Sequence, residues 1–305
     1  MSASPVLLLG ASSQIGRFAV PRLVRLGAEV YAVSRSGRPQ DYPALPGVRW
    51  LRPEEGTKTR EDVSGGCLVS TGPIRLAVEA LRAGHKPGRV IAFSTTSVFS
   101  KPRSGDRHER ETIRHIRQME ASLHELCQAR GIALAIFRPT LVYGCGLDQS
   151  VTLIARWADR LGWVPVARAS AGLRQPVHAD DLASAVVAAV GAPVALHVDT
   201  PLCGGEALSF SDMVARVVEA LDKPVRLVRL PTWMFAFAVR VAGVMPGLRG
   251  LNPEMVRRQA LDMVFDDTLA RTSLAYRPRP FQPTRADFLP PTTELIAQLA
   301  SGTAR

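Results

Sequence analysis

Apolar residues gather into short runs at 6–9, 29–33, 48–51, 67–70, 89–93 and 132–137. Unbroken apolar runs suit strands covered on both faces, and the long segments between them suit crossovers joining parallel neighbours. Helical spacing fills the gaps. Ile15, Phe18, Ala19, Leu23, Val24 and Leu26 form one stripe that stops at Gly27, and Ile74, Ala77, Val78 and Leu81 form another that ends at Ala83-Gly84. Residues 109–130 place Ile113, Ile116, Met119, Leu123 and Leu126 on one face, with Glu111, Arg114, Gln118 and Glu125 on the opposite one. The crossover from Arg52 to Gly66 is polar and reads as a short helix or a loop. Past about residue 145 the alternation weakens, prolines multiply, and helices are predicted at 151–161 and 182–190. The pattern predicts an α/β chain with a parallel sheet in residues 1–145. Segments near 174–200 return to it, and most of 146–305 forms a smaller lobe.

The first apolar run breaks into Gly10-Ala11-Ser12-Ser13-Gln14-Ile15-Gly16 before the helical stripe begins. Small residues there let backbone N–H groups approach an anion, and the following helix points its positive end at the same place. A strand, this loop, a helix and a second strand in order make a nucleotide-binding βαβ unit.

The formal charge of +11 comes almost wholly from arginine, since the lysines are Lys58, Lys86, Lys101 and Lys223. Arginine grips phosphate in a planar fork, which suits an anionic small molecule, a phosphorylated cofactor or an acidic membrane surface. Nucleic acid is not expected, because the basic residues are scattered and not interleaved with aromatics. Cys67, Cys127, Cys145 and Cys203 match neither a redox pair nor a zinc spacing and read as buried thiols of a reducing compartment. With the first strand reached by Val6 there is no room for a secretory leader, so a cytoplasmic location is expected. The run from Leu230 to Leu248 is broken by Pro231, Arg240, Gly243 and Pro246. It reads as a core or lid helix, or one lying on a membrane, and not as a span.

Four segments in order carry a family resemblance: the Gly10–Gly16 loop, Phe93-Ser94-Thr95-Thr96-Ser97-Val98-Phe99, Arg138-Pro139-Thr140-Leu141-Val142-Tyr143-Gly144, and Arg174-Gln175-Pro176-Val177-His178-Ala179-Asp180-Asp181-Leu182-Ala183. Together they resemble the extended short-chain dehydrogenase/reductase family of NAD(P)-dependent epimerases, dehydratases and reductases. The resemblance implies a doubly wound Rossmann fold with substrate held under the C-terminal lobe. It implies cofactor contacts from Gly10, Ser12, Ser13, Gln14, Ile15, Gly16, Thr71, Gly72 and Ser94, and substrate contacts from Tyr143, Arg174 and His178. Thr96, with Ser97 beside it, falls at the hydroxyl position of the catalytic set. A dimer is also implied.

The second strand ends in Ser34-Arg35-Ser36-Gly37-Arg38, where an NAD-preferring site would place a carboxylate for the ribose hydroxyls. Ser34, Arg35 and Arg38 instead form a cup for a 2′-phosphate, which predicts NADP over NAD. The family's Tyr-x-x-x-Lys finds no match: Tyr31, Tyr42, Tyr143 and Tyr276 are followed four places on by Arg35, Pro46, Leu147 and Pro280. Counting back from Gly131 and Arg138 assigns those two positions to Arg114 and Gln118. Arginine cannot relay a proton near neutrality, which leaves His108, Glu111, His115 and Glu120 as candidate carriers. Ser13 replaces a usual glycine and Leu141 a usual asparagine, the latter weakening a nucleotide-sugar assignment. His178 with Asp180 and Asp181 reads as the start of a helix, with Asp181 near the cap and no metal site. Two classes stay open: an NADP-dependent oxidoreductase, epimerase or dehydratase acting on a small anionic or nucleotide-linked substrate, and a non-catalytic NADP-binding sensor.

Overall fold

The computed structural model describes residues 3–168, 170–192, 197–242 and 258–303. The apolar runs become β1 (Ala3–Leu9), β2 (Ala28–Val33), β3 (Val48–Leu51), β4 (Cys67–Ser70), β5 (Arg89–Phe93) and β6 (Ala133–Pro139). Between them run α1 (Gln14–Arg25), a one-turn α2 (Pro53–Gly56), α3 (Arg75–Arg82), a one-turn α4 (Ser97–Ser100) and the long α5 (Arg107–Ala129). The polar crossover thus resolves into one helical turn followed by hydrogen-bonded turns.

After β6 the chain leaves the sheet through β7 (Leu141–Tyr143), α6 (Val151–Leu161), β8 (Trp163–Ala167), β9 (Leu173–Arg174) and β10 (Pro176–His178). It comes back with α7 (Ala179–Gly191) and β11 (Val198–Leu202), which pairs with β6. The last part holds β12 (Leu208–Ser209), α8 (Phe210–Glu219), β13 (Arg226–Leu230) and α9 (Thr232–Ala242). Helices Thr268–Leu274 and Thr293–Ser301 follow. Of the apolar run from Leu230 to Leu248, α9 is described, with Trp233 and Phe237 exposed; residues 243–248 lie outside the described residues.

The seven-stranded sheet has the order β11-β6-β5-β4-β1-β2-β3, and every pairing in it is parallel. Strand order reverses at β1, so α1 and α3 leave on opposite sides and a crevice opens between the C-terminal ends of β1 and β4. Burial on both faces explains the unbroken apolar runs. Leu8 faces the cluster built with α1 and α7, whereas its neighbour Leu7 faces the cluster under α3 and α5. Each is fully buried, which is worth roughly 1.5–3 kcal/mol per side chain. A third cluster joins α6 and α8 through Val151, Ala155, Met213 and Val217 and is sealed by Phe281 and Phe288. Among the described residues no helix is long and apolar enough to cross a membrane.

Candidate functional site

The Gly10 loop and the mouth of the β1/β4 crevice are one construction. Gly10 has φ +76, and a Cβ there would meet the Gly72 nitrogen at 2.7 Å. A Cβ on Gly16 would meet the carbonyl oxygens of Gly10 and Ala11 at 2.6 Å. Ser13 caps α1, its Oγ accepting from Gly16 N at 3.0 Å and donating to Thr71 Oγ1 at 3.2 Å. That leaves the N–H groups of Gln14 and Ile15 in the first turn without intrahelical acceptors, at the positive end of the helix. Ser13 therefore keeps the loop tight in place of a glycine. Three buried polar atoms near this sheet edge, Gln14 Oε1, Ser70 Oγ and Ser94 Oγ, have no hydrogen-bond partner. A backbone cradle, a capped helix start and unpartnered polar atoms fit a dinucleotide. Such a cofactor would supply hydride transfer at its nicotinamide.

At the end of β2, Ser34 is buried and its Oγ donates to Gly37 O, closing the turn. Arg35, Ser36 and Arg38 are exposed beside it. The turn thus presents two guanidiniums, while the Ser34 proton is spent internally.

Beyond the C-terminal end of β5 lies a cavity of about 490 Å³ between the sheet and the lobe. Its walls include Trp157, Trp163, Phe210, Phe235, Met263 and Phe265, and Thr95, Thr96 and Ser97 stand on the sheet side. Among the described residues three cations line it, and each already has a partner. Lys101 Nζ bonds Glu109 Oε1 at 3.0 Å, and Arg258 grips both Glu109 oxygens at 2.6 and 3.0 Å. Burial pushes the Glu109 carboxyl up, but hydrogen bonds from Arg258, Ser104 and Lys101 outweigh it and hold the pKa at about 2. Arg174 donates from Nη1 to the carbonyls of Leu173 and Leu261 and from Nη2 to that of Arg258. Its guanidinium also stacks over Phe210 at 5.6 Å, and burial lowers its pKa.

Of the residues expected in the catalytic set or at the substrate, Thr96, Ser97 and Arg174 line this cavity and Tyr143 and His178 do not; Thr71 and Gly72, expected at the cofactor, stand outside it. Thr96 Oγ1 donates to Pro139 O at 3.1 Å, so toward a substrate it offers an acceptor. Tyr143 is packed edge-on between His178 and Phe281, and burial drives its phenol well above the usual range. His178 itself caps α7, accepting from Asp180 N at 3.0 Å, while its Nε2 lies 3.1 Å from Asp287. This corrects the expected cap at Asp181, which instead accepts from Arg279 N and Nε. Asp180 binds Arg22 of α1 through both oxygens. The His-Asp-Asp segment therefore bolts α7 to its surroundings.

Arg114 and Gln118 are corrected as well: both are exposed on α5 and line no part of the cavity. The inward face of α5 carries Ile113, Glu120, Leu123 and Cys127, and Arg117 reaches Val98 O at 2.6 Å. His108, Glu111 and His115 are also exposed, and Glu120 is committed to a bidentate pair with Arg138 at 2.9 Å. None of these four candidate proton carriers reaches the cavity. Lys101, which does, escaped notice in the sequence because it lies in the loop after α4, outside every quoted motif. All four cysteines are buried and free, and burial lifts the Cys127 thiol to about 11 and those of Cys145 and Cys203 to about 12.

A parallel sheet reversing at β1, with a glycine cradle in the crevice and a cavity beyond β5, defines a doubly wound α/β fold whose crevice has the shape of a dinucleotide site. Residues 69–200 match the model of the NAD dependent epimerase/dehydratase family. The chain is 30% identical over 155 residues to y4nG, an uncharacterized protein of Sinorhizobium fredii, covering 51% of this chain and 38% of that one. It is 25% identical over 183 residues to a UDP-glucose 4-epimerase of Vibrio cholerae, covering 57% and 55%. The chain thus spans about half or less of the length of the curated relatives it matches. Among solved structures it resembles the epimerase Mth375 of Methanothermobacter thermautotrophicus, with a TM-score of 0.68, 13% identity and 98% and 92% coverage. A UDP-glucuronic acid 4-epimerase of Bacillus cereus, solved with UDP-glucuronic acid and NAD, gives 0.64, 17%, and 97% and 100%. Residues 69–200 are thus similar to the NAD dependent epimerase/dehydratase family, and the solved structures share the doubly wound fold of the whole chain.

Proposed function

We propose that the protein is an NADP-dependent enzyme of the oxidoreductase, epimerase or dehydratase type, with the dinucleotide along the Gly10 loop and the substrate in the cavity beyond β5. The observation that carries this reading is the close fit of Gly10 against Gly72, which brings bare backbone to the β1/β4 crevice beside the uncommitted N–H groups of α1. Arg35 and Arg38 support NADP over NAD, since two exposed guanidiniums and no carboxylate stand in the turn after β2.

Proton handling falls to Lys101 and to the hydroxyls of Thr95, Ser97 and Ser100. Among the described cavity-lining residues these are the groups with a transferable or shareable proton at neutral pH, Thr96 having given its own to Pro139. The Lys101 ammonium, poised against Glu109, would donate to a carbonyl or carbinol oxygen, and the hydroxyls would orient that oxygen. The absence of tyrosine, histidine and carboxylate from the described lining favours a second reading, an NADP-binding sensor. Turnover decides between them. Consumption of NADPH with a carbonyl panel, cut at least tenfold in Lys101→Met at unchanged NADPH affinity, is expected for the enzyme. Tight NADPH binding with no consumption and no effect of Lys101→Met supports the sensor.

A further inference from the structure

We infer that the cavity beyond β5 receives a substrate with an apolar body, an alcohol or ketone of the long-chain or fused-ring class, and not a nucleotide diphosphate. The inference rests on the reading of this cavity as the substrate side of the site. Much of its wall is aromatic or aliphatic: Trp157 and Ile154 come from α6, Trp163 from β8, Met213 from α8, and Met263 and Phe265 from the segment before helix Thr268–Leu274. A diphosphate buried among them needs charged donors with bonds to spare.

Among the described lining residues Arg174 and Arg258 cannot give them cheaply, and Lys101, with one N–H on Glu109, has donors for a single oxygen and not for a diphosphate. Lys101 and Arg258 share Glu109, at distances of 3.0, 2.6 and 3.0 Å. Releasing Arg258 removes two of the four hydrogen bonds that the half-buried Glu109 carboxylate accepts. Arg174 holds the carbonyls of Leu173, Leu261 and Arg258 at 2.7, 2.8 and 2.6 Å, and Phe210 covers its face. Turning it toward a phosphate would leave three carbonyls without that donor. The two arginines are thus held by the chain itself, Arg258 by Glu109 and Arg174 by backbone carbonyls. Neutral polar groups line the rest, and those at the sheet end, Thr95, Ser97 and Ser100, can meet one oxygen of an otherwise hydrophobic molecule. Cavities of this size, about 490 Å³, fall within the range that encloses small-molecule ligands, and such sites are mostly apolar with a few placed polar groups.

Nile red, a neutral dye that brightens in apolar surroundings, serves as the probe on the full chain. Its fluorescence should saturate and be displaced by 2-dodecanone or by a steroid ketone, the two arms separating chain from ring. UDP-glucose at a hundredfold higher concentration, roughly 2.7 kcal/mol of added driving force, should leave it in place. Leu153 lies in the wall, so Leu153→Glu should weaken the dye about tenfold or more by burying a carboxylate, and Leu153→Trp should weaken it by filling space. NADPH affinity should stay within about twofold in both variants, which reports a folded chain. Displacement by UDP-glucose alone, or dye affinity indifferent to both substitutions, overturns the inference. Failure of NADPH to bind while the ketones still displace the dye removes the cofactor reading and leaves this one standing. NADPH-linked turnover of UDP-glucose does the reverse.

Discussion

Gly10→Ala perturbs the cradle at its tightest point, and its cost can be worked from the geometry. At φ +76 an alanine sits in the left-handed region, which costs roughly 1–2 kcal/mol for an L side chain. Its Cβ would also stand 2.7 Å from Gly72 N and 3.0 Å from Gly72 Cα. Those are backbone atoms at the start of the next crossover and cannot rotate away, so the C-terminal ends of β1 and β4 must separate. Overpacking of that kind costs about 1–3 kcal/mol. The sum, about 2–5 kcal/mol, is compatible with a folded chain at room temperature. At about 2 °C per kcal/mol for a chain this long, Tm should fall by about 4–10 °C. NADPH affinity should drop at least tenfold, because the displaced groups are the ones that approach the pyrophosphate. Gly27→Ala is the matched control, with φ +82 and nothing within 4 Å of the added carbon. It should cost only the conformational part, about 1–2 kcal/mol, and leave NADPH binding intact. Thermal denaturation and fluorescence titration read both. Equal Tm losses in the two variants, with wild-type NADPH affinity in Gly10→Ala, would refute the cradle.

Arg35→Ala should weaken NADPH by about 1.5–3 kcal/mol and leave NADH nearly unchanged in parallel titrations, the scale of a lost charge-assisted hydrogen bond. Glu120→Gln should lower the urea midpoint and spare the pH-rate profile, since Glu120 pairs with Arg138 in the interior and does not face the cavity; Asp199 remains beside Arg138, so a loss of about 2–4 kcal/mol is expected, near the lower end for a broken buried pair. Glu109 has a folded pKa of about 2, below its unfolded value, so its contribution to stability is present above the unfolded pKa and is lost as pH falls toward about 2. Urea midpoints measured between about pH 5 and 2 should therefore fall less steeply in Glu109→Gln than in the wild type.

The sheet was legible because parallel strands covered on both faces write their position directly: the run at 48–51 and the strand Val48–Leu51 coincide, and the others agree within a few residues. The strand Val198–Leu202 was reached only as part of a returning segment, since its Val-Asp-Thr-Pro-Leu carries the polar and proline residues an edge tolerates. The lobe resisted for a different reason. Its pairings β7–β10 and β9–β12 are two or three residues long, and its cavity joins Trp157, Phe210 and Phe265, which no local spacing relates. The placement of Arg114 and Gln118 shows two signals in conflict. Counting along the chain pointed to them, yet the apolar stripe of the same helix already put both on the polar face, and the exposed positions follow the stripe.

The most direct measurement is an equilibrium titration of the full chain with NADPH and with NADH, followed by nicotinamide fluorescence. Binding of both, with NADPH tighter by about tenfold or more, is the expected result for a dinucleotide cradle flanked by Arg35 and Arg38. No binding of either dinucleotide would contradict the assignment of the Gly10 loop, and a preference for NADH would contradict the phosphate cup.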